Sequence, residues 1–429
     1  MRKLQCFAAA LIVLCLAGAS ANCETATSKK APSKTGQPRK AGTAKKPAPA
    51  AKKASGAAKA PAGPALVANQ QFYKDEGAHF DLPYEQWVVG GILRTPAGEP
   101  VFYTGMFHKT GQMYIHVRNG YNTLRLPDGG YDYRTYGQGL FRTLVSNMLK
   151  ERADKYPENK EYAELAKKLE TGDTEHFRTL EENDYPLYRG HLFMNFGGNL
   201  FERVSKDKFN YKLELKTWAG PLKLTLKSAA DPIYFDAKNP MIVMSGPGKD
   251  GYIGMIQGYA FSRLRTDGTL ETGGKKTGVS GLSWYEHWMG QPDGKAMSKI
   301  VMIGLRLSNG GDMFAAFFYA AGGKLTNTHM LIRKPGAARA SYTKSAHISP
   351  IKHWSSPVSH TDYEIAWKLS GGIKGEVTPE PGMENSEIMA DQGVGAFWLG
   401  PCRFKGSISG MGDVTGEGIC RSVSPVEKK

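Results

Sequence analysis

Apolar and polar residues alternate with a period of two through most of the body of the chain, the pattern of strands with one buried face and one wet face. Tyr211-Lys212-Leu213-Glu214-Leu215-Lys216-Thr217 alternates strictly, as does Leu222-Lys223-Leu224-Thr225-Leu226-Lys227. Trp218-Ala219-Gly220-Pro221 between them predicts a hairpin. Residues 300–307 and 313–319 flank Ser308-Asn309-Gly310-Gly311, whose Asn-Gly pair suits a tight hairpin turn. Alternation recurs at 113–118 and 363–369. Many short antiparallel strands with glycine-rich turns point to barrels or sandwiches.

One region departs from this period. Leu140, Phe141, Leu144, Val145, Met148 and Leu149 recur at helical spacing, and 161–170 reads as a second, charged helix after Pro157, with Glu164 and Lys168 as a favourable pair. Residues 138–182 are therefore expected to be a helical insertion in the first β domain, either a lid or a packing decoration.

Composition supports the β reading. Glycine supplies 51 of 429 residues, as turn-rich chains require, and 41% hydrophobic with 22% charged residues excludes wholesale disorder. This length predicts two or three domains. No apolar run beyond the N-terminus is long enough to span a membrane as a helix. The N-terminus reads as an export signal over 1–21: basic Arg2 and Lys3, an apolar stretch at 7–18, then Ala19-Ser20-Ala21 as the cleavage site. An uncleaved anchor is the alternative.

Charge is concentrated rather than spread. Of the net +16, residues 22–64 carry +9 and the chain beyond them only +5. Residues 22–68 read as a disordered Ala/Lys/Pro linker, unable to bury enough apolar area to order its backbone. It is either a solvated spacer or an arm for an anionic envelope surface; behind an export signal no nucleic acid is expected. The expectation is a periplasmic or secreted protein, with β domains at 69–235 and 236–425.

Several chemistries are not supported. Gly246-Pro247-Gly248-Lys249-Asp250-Gly251 fits G-x-G-x-x-G, but a strand-like segment follows instead of the helix that would hold a pyrophosphate, so it reads as a glycine turn. No G-x-S-x-G occurs. The cysteines and histidines show no ligand spacing, so neither a metal nor a cofactor is expected. Cys402 and Cys420 lie in strand-like segments, 397–404 and 418–423, around a glycine-rich stretch. Paired as a hairpin, the two can form a disulfide in an exported protein; otherwise they are two thiols.

Trp284-Tyr285-Glu286-His287-Trp288 is the stretch richest in chemistry. In a strand, Trp284, Glu286 and Trp288 share one face and Tyr285 and His287 the other. If the first set faces a barrel interior, Glu286 sits between indoles away from water, where burial favours the protonated acid and tryptophan faces stabilise a carbocation. The plainer reading makes Glu286 an edge carboxylate meeting a surface cation.

Gly258-Tyr259-Ala260-Phe261-Ser262-Arg263, Gly268-Thr269-Leu270 and Val279 to His287 resemble the carotenoid 1,2-hydratase (hydroxyneurosporene synthase) family. So do Glu85-Gln86-Trp87-Val88-Val89-Gly90-Gly91-Ile92-Leu93 and Phe397-Trp398-Leu399-Gly400 with its following glycines. Glu286 stands where that family has Asp, and Trp288 departs from the residue that follows the family's histidine. The resemblance implies two side-by-side lipocalin-like antiparallel β-barrels with an apolar pocket, and hydration of isoprenoid double bonds. It assigns Glu286 as proton donor and His287 as its partner. It gives Glu85 and Trp87, with Tyr259, Trp284 and Trp288, to the ligand site. Arg263 is either a holder of a polar ligand head or a surface arginine. Two functions follow: a hydro-lyase on a lipid-like alkene, or a non-catalytic carrier of a hydrophobic small molecule.

Overall fold

Among the described residues, the alternating segments form 23 strands in two large sheets. The computed structural model describes residues 76–423, apart from breaks at 113–114, 156, 159, 182, 235–240, 246–251, 293–296, 321–322, 360 and 392–394. The export signal, the basic linker and the glycine turn at 246–251 lie outside the described residues. Both sheets curl into barrel-like folds, antiparallel but for one parallel pair, Tyr131–Gln138 with Phe177–Leu180.

Asn210–Lys216 and Pro221–Ser228 form the first hairpin, with inward residues Tyr211, Leu213, Leu215, Leu222, Leu224 and Leu226 all buried. Met297–Leu307 and Asp312–Ala320 form the second around Gly310, whose φ of 89° only glycine adopts without strain. Gly395–Ile408 and Gly412–Val423 also pair, and a disulfide joins Cys402 to Cys420.

The strand partition differs from the boundary expected near 236. Tyr252–Thr272 and Lys275–Pro292 belong to the first sheet, and the chain enters the second only at Met297–Leu307. Lys275–Pro292 pairs with Tyr84–Arg94, while Tyr252–Thr272 pairs with Pro221–Ser228. This long hairpin thus joins the early strands to the later ones, a closure set by non-local pairing that chain order does not reveal.

The insertion contains helices Gly139–Lys155 and Lys160–Thr171. Phe141, Val145, Leu149, Tyr162, Ala166 and Leu169 are buried in one apolar cluster with second-sheet residues such as Val301, Phe317 and Trp367. The helices therefore pack into the body of the fold. A second cluster fills the first barrel, and a third lies between the sheets, where Trp284 stacks on Phe314 and Tyr121 meets Phe397 edge-on.

Candidate active site

Three neighbouring strands of the first sheet bring the site together. In the ladder His287 sits opposite Trp87 on one side and Tyr259 on the other. Period two then puts Glu85, Trp87, Tyr259, Tyr285 and His287 on one face, directed into the first barrel. The imidazole stacks on the Trp87 indole, with centroids 4.7 Å apart and planes at 19°.

These side chains form one buried relay. His287 Nε2–H donates to Glu85 Oε1 at 2.9 Å, and the Tyr259 hydroxyl donates to His287 Nδ1 at 2.9 Å. The carboxylate fixes this tautomer, since an acceptor-only group requires the proton on Nε2. His79 adds two donors to Glu85, its backbone N–H to Oε2 and its Nδ1–H to Oε1, both at 2.8 Å. Lys109 Nζ stands 3.8 Å from Oε2 and donates to the carbonyls of His79 and Leu82. Burial alone would raise the Glu85 pKa, but the bonds from His287 and His79 outweigh it and pull it down to about 2. Burial pushes His287 below its ordinary value against the attraction of Glu85, and pushes the Tyr259 hydroxyl well above its own.

A second carboxylate, Glu76, lies on the same aromatic interior. It takes Arg203 at 2.6 Å and the Tyr211 hydroxyl at 2.9 Å, and Trp87 Nε1–H reaches its backbone carbonyl. Burial raises its pKa, against the pull of Arg203 and Tyr211. Tyr285 links the two groups: its hydroxyl is 3.3 Å from that of Tyr259, and its ring meets Tyr211 at 5.5 Å.

The AttH-like family profile matches residues 190–418, more than half of the sequence. The chain belongs to the AttH-like family. This is the carotenoid hydratase-like group that the motifs resemble. No curated protein matches this AttH-like chain. Similar solved structures include one described as AttH from Nitrosomonas europaea, at 17% identity and TM-score 0.63, covering 83% of this chain and 97% of that one. Kievitone hydratase from Nectria haematococca is similar at 14% identity and TM-score 0.57, over 82% and 92% of the two chains. At such identities the likeness shows the shared two-barrel fold.

Glu286 occupies a different place from the relay. The alternation holds, but the face carrying Trp284, Glu286 and Trp288 looks toward the second sheet; it is His287 and Tyr285 that look into the barrel. Glu286 accepts Trp284 Nε1–H at 2.6 Å and Trp288 Nε1–H at 2.8 Å, with Arg421 at 3.7 Å. It meets the edges of the indoles rather than lying between their faces. Arg263 donates to Asp312 at 2.9 Å and to the Gly311 carbonyl at 2.6 Å, tying the long hairpin to the second sheet.

Of the residues singled out in the sequence, then, Glu85, Trp87, Tyr259 and His287 converge, while Trp284, Glu286 and Trp288 form a separate group. His79, Lys109 and Glu76 carry no sequence signal of their own. The one local hint is Gly77, where an added Cβ would stand 2.4 Å from the Arg189 carbonyl, so this segment must pack backbone to backbone. Donor atoms of His79, Glu85 and His287 all lie within 4.8 Å of one another, a set that could hold a metal ion. Their mutual hydrogen bonds already satisfy those atoms.

Proposed function

We propose that this AttH-like protein is a hydratase adding water across a carbon–carbon double bond of a hydrophobic, lipid- or isoprenoid-like substrate, with the Glu85–His287–Tyr259 relay as its acid–base machinery. The single supporting observation is that buried relay, ending on a hydroxyl inside an aromatic barrel. In hydration one carbon gains a proton, its neighbour gains the water oxygen, and the second water proton leaves to a base. Neutral His287 can accept that proton through Tyr259, because Glu85 stabilises the imidazolium that forms. The Tyr285 hydroxyl can supply the proton that carbon takes up, and the proton His287 has taken from water then returns through Tyr259 to Tyr285, which restores both groups. Trp87 holds the imidazole in place by stacking. A hydratase among the similar folds agrees with this reading.

We place the protein in an exported compartment, on the N-terminal signal pattern and on the Cys402–Cys420 disulfide, which suits an oxidising environment. The basic linker would then meet anionic envelope surfaces.

The test is turnover of isoprenoid alkenes in isotopically labelled water, read by mass spectrometry. Tyr259→Phe, which keeps the ring and removes only the hydroxyl, should lower turnover about 10²–10⁴-fold while substrate still binds. Glu85→Gln should do the same. Full turnover by Tyr259→Phe removes the relay from the mechanism. Binding without product from every alkene tried would instead make the protein a carrier.

A further inference from the structure

A cavity of about 400 Å³ has a lining that shares no residue with the relay. Strand Tyr131–Gln138, helix Lys160–Thr171 and the segments at 354–358 and 385–387 line it. Its apolar wall is aromatic: Tyr131, Tyr133 and Trp354, with Leu165 and Val358. Two of these rings are held by stacking, Tyr133 on His176 at 4.9 Å and Trp354 on Tyr363 at 5.9 Å.

The polar lining runs against the charge of the chain. Asp132, Glu161, Glu164 and Glu387 face Lys168 and His176 here, although the sequence as a whole is +16. Asp132 is engaged by Arg134 at 3.0 Å and His176 at 3.3 Å. Glu387 differs. It is only 7% exposed, and its carboxyl group accepts hydroxyls alone: Tyr363 at 2.7 Å, Ser356 at 2.5 Å, and Ser359. Among the described residues no lysine, arginine or histidine lies within ion-pair distance of it. Three hydroxyl donors satisfy the hydrogen bonding of this carboxyl group but supply no counter-charge, and a cation entering the cavity would supply one.

We propose that this cavity binds an amphipathic organic cation, its apolar body against Tyr131, Tyr133 and Trp354 and its ammonium or guanidinium group toward Glu387 and the rim glutamates. Ring faces attract a cation whose own carbon skeleton tolerates desolvation. A bare metal ion would need a full shell of oxygen ligands, which an aromatic wall does not supply. A neutral lipid would bring no counter-charge to Glu387. The volume lies within the range of small-molecule sites.

The test is calorimetric titration of the full chain with benzyltrimethylammonium, benzyl alcohol and benzoate. The cation should saturate one site, about tenfold or more tighter than benzyl alcohol, and benzoate should not bind. Leu165→Trp, which fills the cavity, should abolish binding. The exposed pair Glu161→Gln with Glu164→Gln, and separately Glu387→Gln, should weaken the cation about tenfold each without changing benzyl alcohol. No saturable cation binding, equal binding of benzyl alcohol, or undiminished cation binding by the folded Leu165→Trp protein would each overturn the proposal.

Discussion

Arg421 donates to Gln86 Oε1 at 2.9 Å, so the amide nitrogen of Gln86 is the atom turned to His108, 3.1 Å from its Nε2. That ring nitrogen must accept, and His108 is therefore neutral. Burial, with the charge of Arg421 behind it, pushes its pKa down from 6.5 to about 3. A depressed pKa means the unfolded chain takes up the proton first, so this contribution is full above pH 6.5 and is lost as pH falls toward 3. His287 acts in the same direction. Urea unfolding should show stability falling by about 2 kcal/mol through His108 between pH 6.5 and 5, with His287 adding to the fall in the same direction. His108→Gln should flatten that slope without removing it; an unchanged slope would mean that His108 is not the group responsible. Glu85, at about 2, adds its own loss only below the ordinary carboxyl range.

Single strand pairs carry strict steric demands that identical substitutions can expose. A Cβ on Gly418 would stand 1.8 Å from the Gly304 carbonyl, in the middle of the ladder between Met297–Leu307 and Gly412–Val423. Gly139, the first residue of its helix, has open space around it. Gly418→Ala should cost about 2 kcal/mol or more, whereas Gly139→Ala should be neutral or stabilise by up to about 1 kcal/mol. Denaturation midpoints of the two variants check both signs together. At this scale the sequence was most readable. Alternation marked the first hairpin because it buries one face, and the spacing of Leu140, Phe141, Leu144 and Val145 marked the first helix for the same reason; the second hairpin, with Asp312–Ala320 buried at every position, was legible from its Asn-Gly turn instead. The long hairpin was harder, because Tyr252–Thr272 changes partner along its length and shifts register between Phe261 and Leu264.

The two barrels meet through Trp284, Trp288 and Phe314, and Glu286 and Arg421 bring opposite charges into that contact. Glu286→Gln would leave Arg421 buried without its counter-charge, and should lower stability by about 3 kcal/mol while leaving alkene turnover at the relay unchanged. Thermal unfolding and the hydration assay on one sample measure both. A large fall in turnover with stability kept would return Glu286 to the chemistry.

What the sequence determined by itself through period and local chemistry was a strand-rich body, a helical insertion and the sharing of faces around Glu286 and His287, while its motifs, by resemblance, added the family and with it the two barrels. The first three follow from the backbone's own repeat, which fixes which residues point together. Which of the two faces became the interior of a barrel was settled only when distant strands paired. The alternation of Trp284 to Trp288 reads the same whichever side closes, and it was Tyr84–Arg94 and Tyr252–Thr272 docking on either flank that enclosed His287 and left Glu286 between the sheets. His79 and Glu76 joined the site through folding too, since a residue ahead of the first strand has no periodicity to announce its partner.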